Sequence, residues 1–159
     1  MGHLLAYHIT FGVYGCRLHG DERGTVDRRH NLYGDPVLGE LPGWVTREKN
    51  LVAHTIPVLT PDHRSRVEEC IPDICKKGGW LYHVAACQPE HVHALLTADF
   101  EGKAVRRWLK TWLSKEMSRV YPEITHWWAE GGSVKHIWDE TYFNEVFRYI
   151  SEQRLTPQK

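Results

Sequence analysis

Residues 80–97 read WLYHVAACQPEHVHALLT, and this stretch decides the fold. Residues 80–87, WLYHVAAC, are aromatic, β-branched and apolar, which predicts a core strand. Gln88-Pro89-Glu90 predicts a turn. Residues 91–97, HVHALLT, predict a second strand, so 80–97 reads as a hairpin. Along a strand successive side chains alternate between faces. His91 and His93 therefore share one face, and Val92, Ala94 and Leu96 share the other.

Working outward, residues 4–14, LLAYHITFGVY, predict a first strand, placed centrally because it is apolar on both faces. Residues 16–50 are polar and scattered with Gly, Asp, Arg and Pro. A loop of this length inside a compact domain is functional or holds structure of its own. Residues 51–59, LVAHTIPVL, predict a short strand that Pro57 places at an edge. Thr60-Pro61-Asp62 is a helix start, with a capping residue, Pro in the first turn and an acid. That helix carries Val67, Ile71 and Ile74 at helical spacing and stops at Gly78-Gly79. Pro72 is expected to kink or split it. Residues 101–121 give the strongest helix, with Ala104, Val105, Trp108, Leu109, Trp112 and Leu113 as an apolar stripe and Pro122 beyond its end. The Trp108 and Trp112 pair reads as core. After the Gly131-Gly132 turn, SVKHIW predicts a fourth core strand. A last helix from about Thr141 to Arg154 carries Phe143, Val146, Phe147 and Ile150 at i, i+3, i+4 and i+7.

The order is strand, long loop, helix, hairpin, helix, strand, helix. Apart from the inserted loop at about 16–60, this is the β-α-β-β-α-β plan of ferredoxin-like α+β sandwiches with a central antiparallel sheet, plus one C-terminal helix. The 159 residues fit one domain with one sizeable core. No apolar run is long enough to span a bilayer. The opening MGHLLAYHITF lacks the basic start and cleavage site of a signal peptide. These features predict a cytoplasmic protein. Cys16, Cys70, Cys75 and Cys87 form no C-x-x-C pair and read as reduced thiols; their spacings match no zinc-ribbon pattern.

Twenty basic residues balance twenty acidic ones, so any contact with nucleic acid has to come from a local patch. Lys103, Arg107 and Lys110 share the polar face of helix 101–121 and form one candidate, although most such charge runs are solvated surface. Arg28 and Arg29 in the long loop, with Arg23, His30 and Tyr33 near them, form another that could hold unpaired nucleotides.

Two same-side imidazoles can grip one divalent ion if a third ligand approaches from elsewhere. With eleven histidines in the chain, an H-x-H arises by chance about 0.7 times, so the motif alone is weak. Two half-buried strand histidines with ordinary hydrogen bonds fit it equally well. Tyr149 and Gln153 are four residues apart and stack on one flank of the last helix. A tyrosine there can attack a phosphate polarised by a metal, and the Gln153 oxygen suits a hard cation. From periodicity alone, a tyrosine covering the core edge and a solvated glutamine are the commoner arrangement. Tyr142, two turns earlier, is the rival nucleophile but has no Gln at +4. Tyr121 ranks lower.

Together these residues resemble the single-tyrosine HUH transposases, in particular the REP-associated tyrosine transposase group. His91-Val92-His93 matches the family's histidine pair. Tyr149 in FRYISEQ matches its late-helix tyrosine, and Gln153 matches the metal-site glutamine of some branches. Residues 128–153, WAEGGSVKHIWDETYFNEVFRYISEQ, are similar to the family's C-terminal signature, and residues 7–24, YHITFGVYGCRLHGDERG, to the N-terminus of a subgroup. The resemblance implies a ferredoxin-like HUH fold with a C-terminal nucleophile helix. It implies Mg²⁺ or Mn²⁺ held by His91, His93 and Gln153, and single-stranded or hairpin DNA as substrate. It further implies a strand transferase working through a 5′-phosphotyrosine on Tyr149 with a free 3′-hydroxyl, in a prokaryotic cytoplasm or on its nucleoid. The insertion at 16–60 and the short stretch after the tyrosine helix depart from the pattern, which leaves monomer and homodimer open. Two other functions fit some of the residues: a relaxase or rolling-circle initiator, and a domesticated hairpin-binding protein. The first carries differently ordered domains. The second has no need of His91, His93, Tyr149 and Gln153 together.

Overall fold

The computed structural model describes residues 3–15 and 58–156. Their elements run β1 (Ala6–Gly12), α1 (Pro61–Gly78), β2 (Leu81–Cys87), β3 (His91–Thr97), α2 (Gly102–Val120), β4 (Ser133–Ile137) and α3 (Glu140–Gln153). Residues 51–57 of the strand expected at 51–59 and most of the inserted loop, with Arg28 and Arg29, lie outside the described residues, and Val58 and Leu59 are not in a strand. The four strands form one sheet in the order β2-β3-β1-β4, antiparallel throughout. This is the ferredoxin-like α+β arrangement that the element order predicts.

The sheet divides the core in two. Ile9, Phe11 and Val13 of the first strand and its exit, with Val92, Ala94 and Leu96 of β3, pack against Val67, Ile71 and Ile74 of α1 and Val105, Leu109, Leu113 and Met117 of α2. Ala6, Val84, Ala86, Leu95 and Ile137 face the other way, onto Val146 and Ile150 of α3. The period of two in HVHALLT thus decides which helix meets which residue. α3 lies over β2 and β3. Its two buried anchors, Val146 and Ile150, each contribute about 1.5–3 kcal/mol of apolar burial, and Phe143 and Phe147 pack partly buried beside them.

α1 starts where Thr60-Pro61-Asp62 predicts. The Thr60 hydroxyl accepts from the His63 backbone N–H at 3.3 Å, and the His63 ring accepts from the Thr60 N–H at 3.1 Å. Pro72 does not split the helix, which runs unbroken to Gly78. Its missing N–H costs one helical hydrogen bond. The apolar contacts of Val67 and Ile71 before it and of Ile74 and Cys75 after it hold both halves on the same core. A second expectation is corrected at SVKHIW. β4 is an edge strand beside β1, with Ser133, Lys135 and His136 exposed and Ile137 fully buried.

The opposite edge, β2, is occupied by side chains. The Ala85 N–H donates to the Tyr82 hydroxyl at 3.1 Å, and the Ala85 carbonyl accepts from Arg154 at 2.6 Å. The Cys87 N–H donates to Glu68 at 3.0 Å, and the Cys87 carbonyl accepts from Arg64 at 2.6 Å. Trp108 and Trp112 stack on Trp80 at ring distances of 6.4 and 5.7 Å and pack against the core. Cys70, Cys75 and Cys87 are free thiols.

Candidate active site

β3 brings His91 and His93 to the face covered by α3. Their rings stand edge to face, with centroids 5.1 Å apart at 82°. α3 sets the Tyr149 ring against His93, with centroids 5.7 Å apart at 87°. Tyr149 is 51% exposed although its ring touches a buried imidazole. Tyr142 is instead partly buried against the α3-side core. Tyr121 lies in the other core layer, against His63 and Trp127.

β1 supplies what lies behind the histidines. Thr10 is the cross-strand partner of His93, and its hydroxyl lies 3.1 Å from His93 Nδ1. His8 Nε2 lies at the same 3.1 Å from that nitrogen. A proton on His93 Nδ1 can be donated to either neighbour, which leaves the lone pair on Nε2. That is the tautomer a metal-ligating histidine needs, with its second nitrogen held by a hydrogen bond. Burial, then the nearby His8 and His91, pushes the His93 pKa down to about 4. Burial, then Lys135, pushes His8 down to about 4 as well. Both rings are neutral near pH 7, the form that binds a cation.

Two buried polar atoms on these elements have no hydrogen-bond partner, His93 Nε2 on β3 and Gln153 Oε1 at the end of α3. A buried unpaired polar atom costs about 1–3 kcal/mol. Both are lone-pair donors of the types that take a divalent ion. Among the described residues no three His, Cys, Asp or Glu side chains come together as an ion site. Among the described residues Gln153, one turn beyond Tyr149, offers a neutral oxygen as a third ligand type beside the histidine pair. The residues fit a divalent ion.

The expected DNA contacts are placed elsewhere. α2 lies on the sheet face opposite α3, so its exposed Lys103 and Arg107 are not gathered with His93 and Tyr149. Lys110 is half-buried. Its ammonium donates to the Ala129 and Gly131 carbonyls at 2.7 and 2.8 Å and stands 5.9 Å over the Phe11 ring. Burial holds its pKa below the usual lysine range. It fastens the loop before β4. Lys135, exposed and opposite His8 in the sheet register, brings a cation to the histidine face.

Sequence reasoning missed His8, Thr10 and Lys135. Polar residues at i and i+2 in an otherwise apolar β1 were a signal, but their meaning depends on which strand pairs with β1, and in which register.

The fold and the site define an α+β protein of the ferredoxin-like plan, with two strand histidines facing a tyrosine on a helix across one side of the sheet. The chain belongs to the IS200-like transposase family, whose model matches residues 51–153. It is a DNA-processing enzyme with a role in transposition. No curated protein matches the sequence. A solved structure from Deinococcus radiodurans R1, assigned as a transposase, is similar over 98% of this chain and 95% of its own, with a TM-score of 0.51 and 14% identity. At that identity the likeness concerns the fold. A REP-associated tyrosine transposase bound to a REP hairpin aligns over 94% of this chain and 68% of its own, with a TM-score of 0.48 and 12% identity. Among the described residues no helix is long and apolar enough to cross a membrane.

Proposed function

We propose that the chain is a metal-dependent single-stranded DNA endonuclease and strand transferase. Tyr149 is its nucleophile, and His91, His93 and Gln153 hold Mg²⁺ or Mn²⁺. The observation that carries this reading is an exposed tyrosine in ring contact with a buried histidine whose outward nitrogen, like the Gln153 oxygen, lacks a partner. Two acceptors with nothing to accept are unfavourable in a pure binding protein, and a cation satisfies both.

Tyr149 Oη gives up its proton and attacks the scissile phosphorus. The P–O3′ bond breaks, the 5′ phosphate stays on the tyrosine, and the leaving O3′ takes a proton to become a free 3′-hydroxyl. The aryl phosphate ester retains enough energy for a second 3′-hydroxyl to displace the tyrosine, so joining needs no nucleotide cofactor. A bound Mg²⁺ or Mn²⁺ would supply charge withdrawal from the scissile phosphate. Apart from the attack by Tyr149, the chain's own part is positional. His8 and Thr10 fix the His93 ring, β3 presents both imidazoles to one side, and α3 sets the phenol next to them.

The substrate in this reading is single-stranded or hairpin DNA, met in a prokaryotic cytoplasm. Lys103 and Arg107 contribute phosphate contacts away from the reacting centre, Lys135 contributes one beside it, and Arg28 and Arg29 of the inserted sequence contribute further ones. Lys110 acts by holding its loop.

A labelled single-stranded hairpin incubated with the protein and Mn²⁺ tests the reading. The wild type forms a covalent protein–DNA adduct, and mass spectrometry places the nucleotide on the peptide containing Tyr149. Tyr149→Phe, which removes only the attacking oxygen, gives no adduct and no nick while still binding DNA. An adduct on Tyr142, or nicking by Tyr149→Phe, overturns the assignment. Hairpin binding without any adduct favours a domesticated binding protein.

A further inference from the structure

We propose that Glu68, on α1, is a positioning residue for the metal site: it fastens the chain immediately after α3 and thereby fixes Gln153. The inference rests on the proposed metal site.

Gln153 is the last residue of α3. Final turns of helices fray because their carbonyls lack intrahelical partners, and local opening concentrates at such ends. α3 also has only two buried apolar anchors, Val146 and Ile150, both earlier in the helix. A ligand at that position needs something else to hold it.

The next three residues provide this. Arg154 leaves the helix and lies along β2, where its guanidinium donates to the Ala85 carbonyl at 2.6 Å and the Tyr82 hydroxyl at 3.2 Å. The chain then rounds the β2 edge from the α3 side of the sheet to the α1 side. There the Leu155 N–H donates to Glu68 Oε2 at 2.9 Å, and the Thr156 N–H and hydroxyl donate to Oε1 at 2.9 and 2.7 Å. Glu68 Oε2 also accepts from the Cys87 N–H at 3.0 Å, and Arg154 stands 3.9 Å from Oε1. Glu68 is 2% exposed. A single buried side chain thus gathers four hydrogen bonds, from β2 and from the two residues after Arg154. These bonds run to Cys87, Leu155 and Thr156 rather than to His93 or Tyr149, so Glu68 acts through the backbone that carries Gln153.

Glu68→Gln keeps the shape but places an amide N–H₂ against groups that are themselves donors. The test uses the full chain, well below its unfolding temperature. Mn²⁺ titration followed by the EPR signal of free Mn²⁺ reads the site without any reaction, and amide hydrogen exchange reads the helix end. Wild type binds Mn²⁺ in a manner lost on His91→Ala. In Glu68→Gln, Mn²⁺ affinity falls about 10- to 100-fold, the range for residues that orient metal ligands. Exchange at Ser151–Arg154 speeds up, while exchange in β1 and β3 is unchanged. If Glu68→Gln does not fold, Thr156→Ala, which removes one hydroxyl donor to Glu68, carries the same test with a smaller fall in affinity.

Faster exchange at the helix end with unaltered Mn²⁺ affinity overturns the inference and leaves the metal site standing. An unaltered helix end overturns it as well. Absence of histidine-dependent Mn²⁺ binding in the wild type overturns both readings.

Discussion

His93 sits at the meeting point of packing and chemistry, and the two make different demands on it. The sequence pattern suggests a half-buried strand histidine with ordinary hydrogen bonds. In the structure it is 6% exposed and joined to His8 and Thr10. His93→Ala therefore removes the hydrogen-bond partner of buried His8 and half-buried Thr10 and lowers stability by about 1–3 kcal/mol. His91, half-buried at the start of β3, loses less. Denaturant unfolding of the two metal-free variants should show that order, and equal midpoints would contradict it.

The same burial predicts a pH response in the metal-free protein. His8 and His93 titrate near 4 when folded and near 6.5 when unfolded. Between those values the unfolded chain binds more protons, so stability rises with pH across this window. It is fully present above about 6.5 and falls as pH drops toward 4. Thermal unfolding in EDTA from pH 7 to 4 should show the loss, and replacing His8 by a neutral residue should flatten it. An equally steep fall in that variant would point to other groups.

At the scale of elements, α2 separates two kinds of cation that its sequence presents as one face. Lys103 and Arg107 are exposed, whereas the Lys110 ammonium is engaged by two loop carbonyls. Lys110→Met keeps most of the stem and loses both bonds, a cost of about 2 kcal/mol or more for a charged donor. It lowers the melting temperature and leaves the salt dependence of DNA binding little changed. Reversing Lys103 and Arg107 does the opposite: melting stays near wild type, and the salt slope drops by about one for each phosphate no longer neutralised. A salt slope unmoved by the double reversal would shift the DNA-binding face toward Lys135 and the loop around Arg28 and Arg29.

The loop that Lys110 holds also explains the Gly131-Gly132 pair. Gly132 has φ +130°, and a Cβ there would lie 2.4 Å from the Thr10 carbonyl. The strand bearing the His93 partner is approached so closely that only glycine fits. The turn is legible in the sequence, but the reason for its second glycine is not, because that reason is a contact with β1.

Across the whole molecule, what the sequence disclosed follows one physical division. Elements whose pattern is local were readable. The alternation of HVHALLT gave a strand with its histidines on one side, the 3.6-residue repeat of Phe143, Val146, Phe147 and Ile150 gave α3, and Thr60-Pro61-Asp62 gave the start of α1. What depends on pairing between distant segments was not readable. The edge position of β4 follows from strand order. His8 and Thr10 join His93 through a register linking positions more than eighty residues apart. Glu68 meets Thr156 across a comparable separation. Pro72 shows the converse, a local rule overridden by core packing on both sides of it.

The capped edge of β2 has a consequence for how two molecules can meet. Exposed strand edges are templates for pairing with another chain. At Ala85 and Cys87 the outward N–H and carbonyl groups are already taken by Tyr82, Arg154, Glu68 and Arg64. A visiting strand would find no free donor or acceptor at these two residues. Growth of the sheet is thereby directed to the β4 side. A symmetric pair joined sheet to sheet would have to match β4 with its own copy across a twofold axis, placing the two Lys135-bearing strands at the centre of a continuous surface and the two tyrosine helices toward its far ends.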